Sequence, residues 1–406
     1  MSDAGARIGQ ARAAPDGEAV RLPWRAAHVS PAVIAGLDRF SAGLFALFIV
    51  GLALIAVLVP ERNWDKVAYV ALTIEDQYET PEALHAATWK IIRDRATDEE
   101  FNLLTTDGAY RQAQFADASN FVSQLPMYRV KVGYIALLKT LAPALGPVGA
   151  IRVINVVSVL LLGACLLLWM RRSGVLQGAL FLAPLMLLTG AVDMARLGAP
   201  DMLVAALSVA GTMLLTGRKP WSGVPLLIAA FLVRPDTLIF LFALVLAGIA
   251  LRWRTLPALT AFLISAALTV PLSNGADHIG WWPHFWFSTV EMQNNMAGFN
   301  PDFSAIVYLK GVARGLAISV IQHGWLAAAV LLLLAAWFVI RRRTELPREI
   351  AMPMLGMVLA VGGKFVVFPL PDDRIYAVFL WMFALGVLAL WKPNLIETRN
   401  DWAQRP

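Results

Sequence analysis

Cysteine is almost absent from this chain, since Cys165 is the only one among 406 residues. A single cysteine excludes an internal disulfide framework and any metal site built from several thiolates. Charged residues are also scarce, at 15%, whereas apolar residues make up 58% and the mean hydropathy is +0.64. This balance is far from that of a soluble globular protein and indicates an integral membrane protein.

Several sequence motifs are missing as well. The chain contains no P-loop, dinucleotide-binding fingerprint, Gly-x-Ser-x-Gly elbow or zinc-protease helix, which argues against nucleotide-driven and hydrolase chemistry. The net charge of +6 is mostly a consequence of membrane topology. The basic clusters argue for anionic lipid headgroups and against a nucleic-acid partner, since no basic stripe with interleaved aromatics occurs on a soluble segment. No internal repeat is evident, which weakens an inverted-repeat transporter interpretation.

Apolar segments close to the roughly 20-residue length that crosses a bilayer recur along the chain. They lie at about 40–60, 148–170, 176–195, 200–217, 256–273, 324–340, 350–370 and 375–391. A further run, 221–251, is broken at Arg234-Pro235-Asp236 into halves of only about 20 to 25 Å, which predicts two short helices meeting at a polar break. The sequence therefore predicts an all-α integral membrane protein with about ten transmembrane helices.

The short connections between these segments are of two kinds that alternate. One kind is basic: Arg171-Arg172, Arg218-Lys219, Arg252 with Arg254, Arg341-Arg342-Arg343, and Lys392. The other kind carries proline and acid: Arg196 with Pro200-Asp201, Arg234-Pro235-Asp236, and Pro371-Asp372-Asp373-Arg374. Basic connections face the cytoplasm, so an even span count places both termini there and leaves the loops 61–145 and 274–322 outside.

The ends of the chain fit the same topology. Residues 1–39 show no periodicity and are predicted to be a flexible cytoplasmic tail, with a second tail at 392–406 flanking the membrane domain 40–391. The first apolar run is too long for a signal-peptide core, so we expect an uncleaved anchor. The basic N-terminus and the lack of a visible organelle signal favour a bacterial inner membrane.

The first outer loop opens with Asn63-Trp64-Asp65-Lys66, and Tyr69 lies one helical turn beyond Asp65 on the same face. An acid is thus held at the membrane surface, although a solvated residue beside a tryptophan anchor would look the same. Farther on, Thr80-Pro81-Glu82 predicts a helix start, with threonine as cap and proline in the first turn. The apolar side of that helix would lie on the membrane surface or pack on the protein's own core.

A family resemblance becomes visible over residues 40–391. An acid follows the first span, a long outer loop leads to Tyr128-Arg129-Val130-Lys131, and Gly146 precedes an Arg152 and Asn155 start to the next span. The closing Asp373-Arg374-Ile375-Tyr376 is similar to an Arg-aromatic signature. Together these features resemble the GT-C superfamily, which comprises membrane glycosyltransferases that use polyprenyl-phosphate sugars, including protein O-mannosyl and lipid A aminoarabinose transferases. The resemblance also implies that the long first loop is periplasmic and contains juxtamembrane helices.

The resemblance implies roles for several residues. Moving a sugar from a polyprenyl phosphate requires a base for the acceptor hydroxyl, and cations for the phosphate leaving group. Asp65 would be the base, and Arg374 the preferred phosphate ligand because guanidinium binds phosphate in a bidentate fork. An internal pair of Arg374 with Asp372 or Asp373 is the alternative. Further candidates for the phosphate are Lys131, Arg129, Arg234 and Lys364.

Lys364 lies within a span, roughly 10 Å from its outer end, where an ammonium needs a partner or must snorkel. Asp201 and Asp236 each follow a proline at a helix start, so helix capping is the favoured interpretation and acceptor or sugar binding the alternative. Tyr69 and Asp373 are further candidates for acceptor or sugar contact. No certain cofactor is implied. A divalent cation is the one candidate, and the absence of a second acid directly beside Asp65 argues against a metal site.

The second outer loop is rich in aromatic residues and contains two histidines. His278 and His284 are six residues apart, which fits neither a helical pair nor common zinc spacing. The tryptophans there predict an interfacial belt or a surface that stacks on a sugar ring.

The resemblance thus implies an inverting membrane glycosyltransferase that moves a sugar from a polyprenyl-phosphate donor to a lipid, glycan or protein acceptor on the periplasmic side. A multi-spanning transporter or lipid flippase is the main alternative, motivated by the broken run at 221–251. A transporter should carry its charges near the bilayer midplane, whereas the breaks in this sequence cluster on one side. A non-catalytic assembly subunit is the third interpretation.

Overall fold

The structure, a computed structural model, describes residues 31–59, 63–343 and 345–391. These residues form twenty α-helices and no strand, so the all-α prediction is confirmed. The first helix, α1, spans Pro31–Leu58 and begins before the predicted boundary at residue 40. The last part of the predicted tail 1–39 is therefore helical, while residues 1–30 and the predicted tail 392–406 lie outside the described residues.

Seven helices occupy the predicted first outer loop, 61–145. They are α2 Trp64–Ile74, α3 Pro81–Arg93, α4 Asp98–Thr106, α5 Gly108–Ala116, α6 Ala118–Gln124, α7 Pro126–Arg129 and α8 Val132–Leu145. The α3 helix starts as predicted, with the Thr80 hydroxyl accepting a hydrogen bond from the Ala83 N–H at 3.2 Å. Its Trp89 ring lies 6.0 Å from Trp64 and 6.3 Å from Phe121, so α3 packs against the protein's own core.

Seven more helices follow, of which several are short. They are α9 Pro147–Arg172, α10 Ala179–Leu188, α11 Ala191–Arg196, α12 Asp201–Leu215, α13 Val224–Val233, α14 Thr237–Leu251 and α15 Thr255–Gly275. The predicted break at residues 234–236 separates α13 from α14. Proline at 235 explains this break, because proline restricts the residue before it and lacks the amide hydrogen needed to continue a helix.

The last five helices are α16 Trp281–Thr289, α17 Ala305–Gln322, α18 Trp325–Ile340, α19 Arg348–Val367 and α20 Asp373–Trp391. Within the described ranges, six helices are long and apolar enough to cross a membrane: α1, α9, α15, α17, α19 and α20. These helices indicate a multi-pass membrane protein. The count of about ten spans stays a prediction, since helices such as α12, α14 and α18 are shorter.

The helix ends sort by charge into two groups. Arg172, Gly217, Glu349 and Ala389 line one cavity, so the ends of α9, α12, α19 and α20 meet there. This end, which also carries the basic connections, is called the basic end. The opposite, polar end carries the connections 197–200, 234–236 and 368–372 together with α2. Residues far apart in sequence are thereby gathered at one end.

The polar end is recessed because several helices that reach it are short. At 1.5 Å per residue, α9 with 26 residues is about 39 Å long, whereas α12 with 15 residues is about 22 Å long. Both reach the basic end, so α9 extends beyond α12 at the polar end. Asn155, about two turns into α9, donates its side-chain N–H to the Leu197 carbonyl at 3.0 Å, which marks the depth of the recess.

The α17 helix was not predicted as a span and lies within the predicted outer loop 274–322. Its contacts are with helix ends at the polar end: the Tyr308 hydroxyl donates to the Val366 carbonyl at 2.6 Å, near the end of α19. Just beyond the other end of α17, Gly324 packs closely against the end of α10. A Cβ added at Gly324 would lie 2.5 Å from the carbonyl oxygen of Leu188, the last residue of α10. Both of its ends therefore lie at the polar end, and α17 runs across it.

Candidate functional site

Seven charged side chains meet in the recess at the polar end and form an alternating series of acids and bases. This ion-pair cluster consists of Asp65, Asp201, Arg234, Asp236, Lys364, Asp372 and Arg374. Its members come from α2, α12, α19, α20, the break between α13 and α14, and the segment that connects α19 to α20. Six of them were predicted site residues, and Asp372 was considered only as a partner for Arg374.

Arg374, in the first turn of α20, lies at the centre of the cluster. Its Nε is 2.7 Å from Asp372 Oδ2, and its Nη1 is 3.4 Å from Asp65 Oδ2 and 3.9 Å from Asp201 Oδ2. The internal pair with Asp372 therefore exists together with a contact to the predicted base. Three carboxylates hold the guanidinium in place, so a phosphate would join an existing network.

The break between α13 and α14 contributes the second part of the cluster. Arg234 pairs with Asp201, and its Nε is 3.1 Å from Asp236 Oδ1. Lys364 Nζ is 2.8 Å from Asp236 Oδ2, which gives this buried ammonium the partner that it needs. Lys364 is only about 4.5 Å from the end of α19 at Val367, nearer than the expected 10 Å, because the helix stops before residue 370.

Asp201 and Asp236 were expected to cap helices, and neither side chain makes a capping hydrogen bond. Asp201 is buried, with a side chain 4% exposed, whereas that of Asp236 is 38% exposed. Both carboxylates are committed to ion pairs instead. An exposed edge on Asp236 leaves it able to accept a hydrogen bond from a ligand hydroxyl.

Asp65 lies in the first turn of α2, where Asn63 caps the helix by accepting the Asp65 N–H at 2.7 Å. The carboxylate accepts a hydrogen bond from the Tyr128 hydroxyl at 3.0 Å and contacts Arg374 on its other oxygen. Its side chain is 21% exposed, so it is both fixed and accessible. Tyr128 was not singled out from the sequence, although it lies beside the basic residues 129 and 131.

Lys131 lies just before α8, outside the six candidate spans, between two tyrosines. Its Nζ donates to the Tyr69 hydroxyl at 2.6 Å and lies 4.7 Å from the centre of the Tyr128 ring. Among the described residues, no carboxylate is within ion-pair distance of this ammonium. Burial lowers the pKa of Lys131 to about 8, while the charge of Asp65 raises it. Lys131 is therefore a cation held beside the cluster and available to an anion.

Four predicted site residues are not members of the cluster: Lys131 and Tyr69 lie beside it, whereas Arg129 and Asp373 are bound elsewhere. Arg129 Nη2 is 3.1 Å from Glu75 Oε2, and its Nη1 donates to the Ala276 carbonyl at 3.3 Å. Asp373 accepts a hydrogen bond from the Trp325 N–H at 2.7 Å and thereby caps α18. Both side chains join elements of the fold, so the structure gives them a structural role.

The two histidines of the second outer loop lie near the recess. The rings of His278 and His284 are 5.6 Å apart, and that of His284 is 5.1 Å from Phe368. Burial lowers the pKa of His284 to about 3, so its imidazole is neutral at neutral pH. Within the described part of the chain, no group of three or more His, Cys, Asp or Glu side chains is arranged to hold a metal ion.

The fold and the cluster together define a multi-pass, all-α membrane protein with a recessed network of ion pairs at one end of its helices. The chain matches no protein-family model, and comparisons with curated proteins and with solved structures found no significant match.

Proposed function

We propose that this protein is a GT-C-like membrane glycosyltransferase of a bacterial inner membrane. It would move a sugar from a polyprenyl-phosphate donor to a lipid, glycan or protein acceptor on the periplasmic side, which would be the polar end. The observation that supports this proposal best is the meeting of Asp65, Arg374 and Lys131 in one recess. Sugar transfer from a phosphate requires a base and cations that bind the phosphate, and a fixed, accessible carboxylate beside cations can supply both.

In the proposed reaction, the acceptor oxygen forms a bond to the anomeric carbon of the sugar, and the bond from that carbon to the phosphate oxygen breaks. Asp65 takes the proton of the acceptor hydroxyl, and the electron pair of the broken bond remains on the phosphate. Direct displacement inverts the anomeric centre. General-base catalysis of this kind contributes roughly 10²- to 10⁴-fold to the rate.

The phosphate would be held by Lys131 together with Arg374. Lys131 has no carboxylate partner among the described residues, so an incoming phosphate does not have to displace one. Arg374 is already held by carboxylates, and its role would be to stabilise charge that develops on the leaving oxygen. The helices α12 and α14, each about 22 Å long, are shorter than the roughly 30 Å hydrocarbon thickness. The recess would therefore reach a few ångströms below the headgroup boundary, within reach of a lipid phosphate.

The position of the cluster favours transfer over transport. A transporter or flippase interpretation expects charges near the middle of the bundle, and here Lys364 is within one turn of the end of α19. The break at residues 234–236 likewise lies at the polar end.

The direct test is thermal stabilisation of the purified protein by undecaprenyl phosphate, with undecaprenol as the control that lacks the phosphate. We expect stabilisation by the phosphate lipid only, its loss in Arg374→Ala, and its retention in Asp65→Asn. Arg129→Ala is the matched control, because this arginine pairs with Glu75 outside the cluster. No stabilisation of the wild-type protein, or equal stabilisation by undecaprenol, would contradict the proposal and favour the transporter.

A further inference from the structure

A second cavity lies at the polar end, apart from the ion-pair cluster. Its volume is about 290 Å³, and it is an open cavity lined by the end of α16, by α17 and by the segment that connects α19 to α20. The residues that line this α16–α17 cavity are 287–292, Gly311, Arg314, Gly315, Ile318 and 369–371. Asp372 of the cluster follows this wall directly, so the two sites are neighbours with separate linings.

Glycines on one face of α17 fix the width of the cavity. A Cβ added at Gly311 would lie 2.8 Å from the Phe285 ring, and one added at Gly315 would overlap the carbonyl oxygen of Pro369. Any larger residue would force α17 outward at these points. The wall is therefore held in place by close backbone packing.

Much of the α17 surface outside the cavity is apolar and exposed. Four large apolar side chains of α17 are each more than 60% exposed: Ile306, Leu309, Val320 and Ile321. Since α17 lies across the polar end, this surface is placed where an amphipathic helix borders the acyl region of a bilayer. Lipid chains are the occupant that such a surface fits in a multi-pass membrane protein.

Two opposite charges line the cavity without pairing. Among the described residues, the Arg314 guanidinium has no carboxylate within ion-pair distance, and its contact is a 3.4 Å hydrogen bond to the Thr289 carbonyl. Glu291 lines the same cavity, is exposed, and likewise has no ion-pair partner in the described ranges. The cavity thus offers one cation and one anion that are held apart.

We propose that the α16–α17 cavity binds the headgroup of a zwitterionic phospholipid with a primary ammonium, of the phosphoethanolamine class. The phosphate lies against Arg314, and the ammonium donates hydrogen bonds to Glu291. The acyl chains leave the cavity over the exposed Ile321, which lies two turns beyond Arg314 on the same side of α17. A purely anionic headgroup leaves Glu291 unpaired, and a choline headgroup cannot donate a hydrogen bond to it. This inference does not depend on the proposed glycosyltransferase activity, because it concerns other residues and another ligand.

The test uses the full-length protein in detergent and compares retained lipid by native mass spectrometry after exposure to phosphatidylethanolamine, phosphatidylglycerol or phosphatidylcholine. We expect phosphatidylethanolamine to bind on the order of tenfold more tightly than the other two. Arg314→Ala should lose binding of all three lipids. Glu291→Gln should remove the preference for phosphatidylethanolamine while leaving phosphatidylglycerol binding intact.

Lys310→Ala is the matched control, since Lys310 is an exposed cation one turn away on α17 that does not line the cavity. It should leave the preference unchanged. Equal binding of phosphatidylglycerol and phosphatidylethanolamine, or a preference that survives Glu291→Gln, would overturn the proposal. Soluble glycerophosphoethanolamine should bind far more weakly than the lipid, and equal binding would exclude a contribution from the exposed apolar surface of α17. Both charged side chains are exposed, so the variants should melt like the wild type.

Discussion

Asp65 Oδ2 and Arg374 Nη1 lie 3.4 Å apart, although 309 residues separate them in the chain. One stands in the first turn of the first helix after α1, and the other in the first turn of the last helix. The beginning and the end of the membrane domain therefore meet at a single pair of side chains. That contact brings the proposed base within reach of the proposed phosphate ligand.

Replacing Asp65 by asparagine should lower sugar-transfer turnover by roughly 10²- to 10⁴-fold, because the amide cannot accept the acceptor proton. Binding of the polyprenyl phosphate should persist, since Lys131 and Arg374 remain. The measurement is the initial rate of transfer at saturating donor, with donor affinity determined separately. Unchanged turnover would remove Asp65 from the proposed chemistry.

Tyr128 is expected to position Asp65 without taking part in proton transfer. Its hydroxyl donates to Asp65 at 3.0 Å, and Tyr128→Phe removes that one hydrogen bond while keeping the ring against Lys131. We expect turnover to fall about tenfold, with little change in donor affinity, because one hydrogen bond to a charged group is worth roughly 1.5–3 kcal/mol. A loss as large as that of Asp65→Asn would assign Tyr128 a more direct role.

Much of this site was predictable because charge is conspicuous inside apolar sequence. Asp201, Asp236 and Lys364 stand out in a chain with 15% charged residues, and their cost in a membrane required a common polar environment. The predicted break at residues 234–236 followed from proline chemistry in the same way.

Pairing across the chain was not predictable, since periodicity says which residues share a face and not which faces meet. Tyr128 looks like an ordinary aromatic residue until α7 brings it to Asp65. Asp373 and Arg374 are neighbours in sequence, yet one caps α18 and the other enters the cluster. The α17 helix was missed because its interrupting Lys310 and Arg314 made it look like loop sequence.

Affinity for the polyprenyl phosphate should fall as the pH rises through about 8, the value to which burial lowers the pKa of Lys131. Below that pH the ammonium is charged and attracts the phosphate, and above it the amine is neutral. We expect a decrease on the order of tenfold between about pH 7 and pH 9.5, measured by thermal shift or equilibrium binding. The lipid phosphate has its second pKa near 6, so its own charge changes little over this range.

Lys131→Arg is the control, because arginine stays protonated and should bind with little pH dependence up to pH 9.5. The folding stability of the unliganded protein gives an independent readout, because it should change with pH in the direction opposite to the affinity. Between about pH 8 and 10.4 the unfolded chain binds a proton at Lys131 that the folded protein does not, so stability falls as the pH drops through this window. Lys131→Met should remove this contribution, and identical pH profiles for wild type and Lys131→Met would contradict the assignment.

The pair of Lys364 and Asp236 should respond asymmetrically to substitution. The Lys364 side chain is 7% exposed, and among the described residues Asp236 is its ion-pair partner, whereas Asp236 also pairs with Arg234 and is 38% exposed. Asp236→Asn therefore leaves a buried ammonium unpaired and should destabilise the protein by up to about 3–5 kcal/mol. Lys364→Met leaves Asp236 paired and should cost much less.

The double variant Lys364→Met with Asp236→Asn distinguishes this explanation from a general loss of packing. Removing the ammonium should recover most of the stability lost in Asp236→Asn alone, as judged by thermal unfolding in detergent. If the double variant is less stable than Asp236→Asn, the unpaired charge is not the cause.

Close packing of α1 on α9 depends on Gly163, where an added Cβ would lie 2.5 Å from Ile49 Cγ2. Gly163→Ala should therefore destabilise the bundle by about 1–3 kcal/mol through overpacking, although alanine is the better helix former. Gly43→Ala on α1 is the matched control, because no atom lies within 4 Å of a Cβ there, and it should be neutral or slightly stabilising. Adding Ile49→Ala to Gly163→Ala should restore part of the loss, since it removes the branched side chain that the new methyl group meets. A Gly163→Ala protein as stable as the Gly43→Ala protein would show that α1 and α9 are not in such close contact.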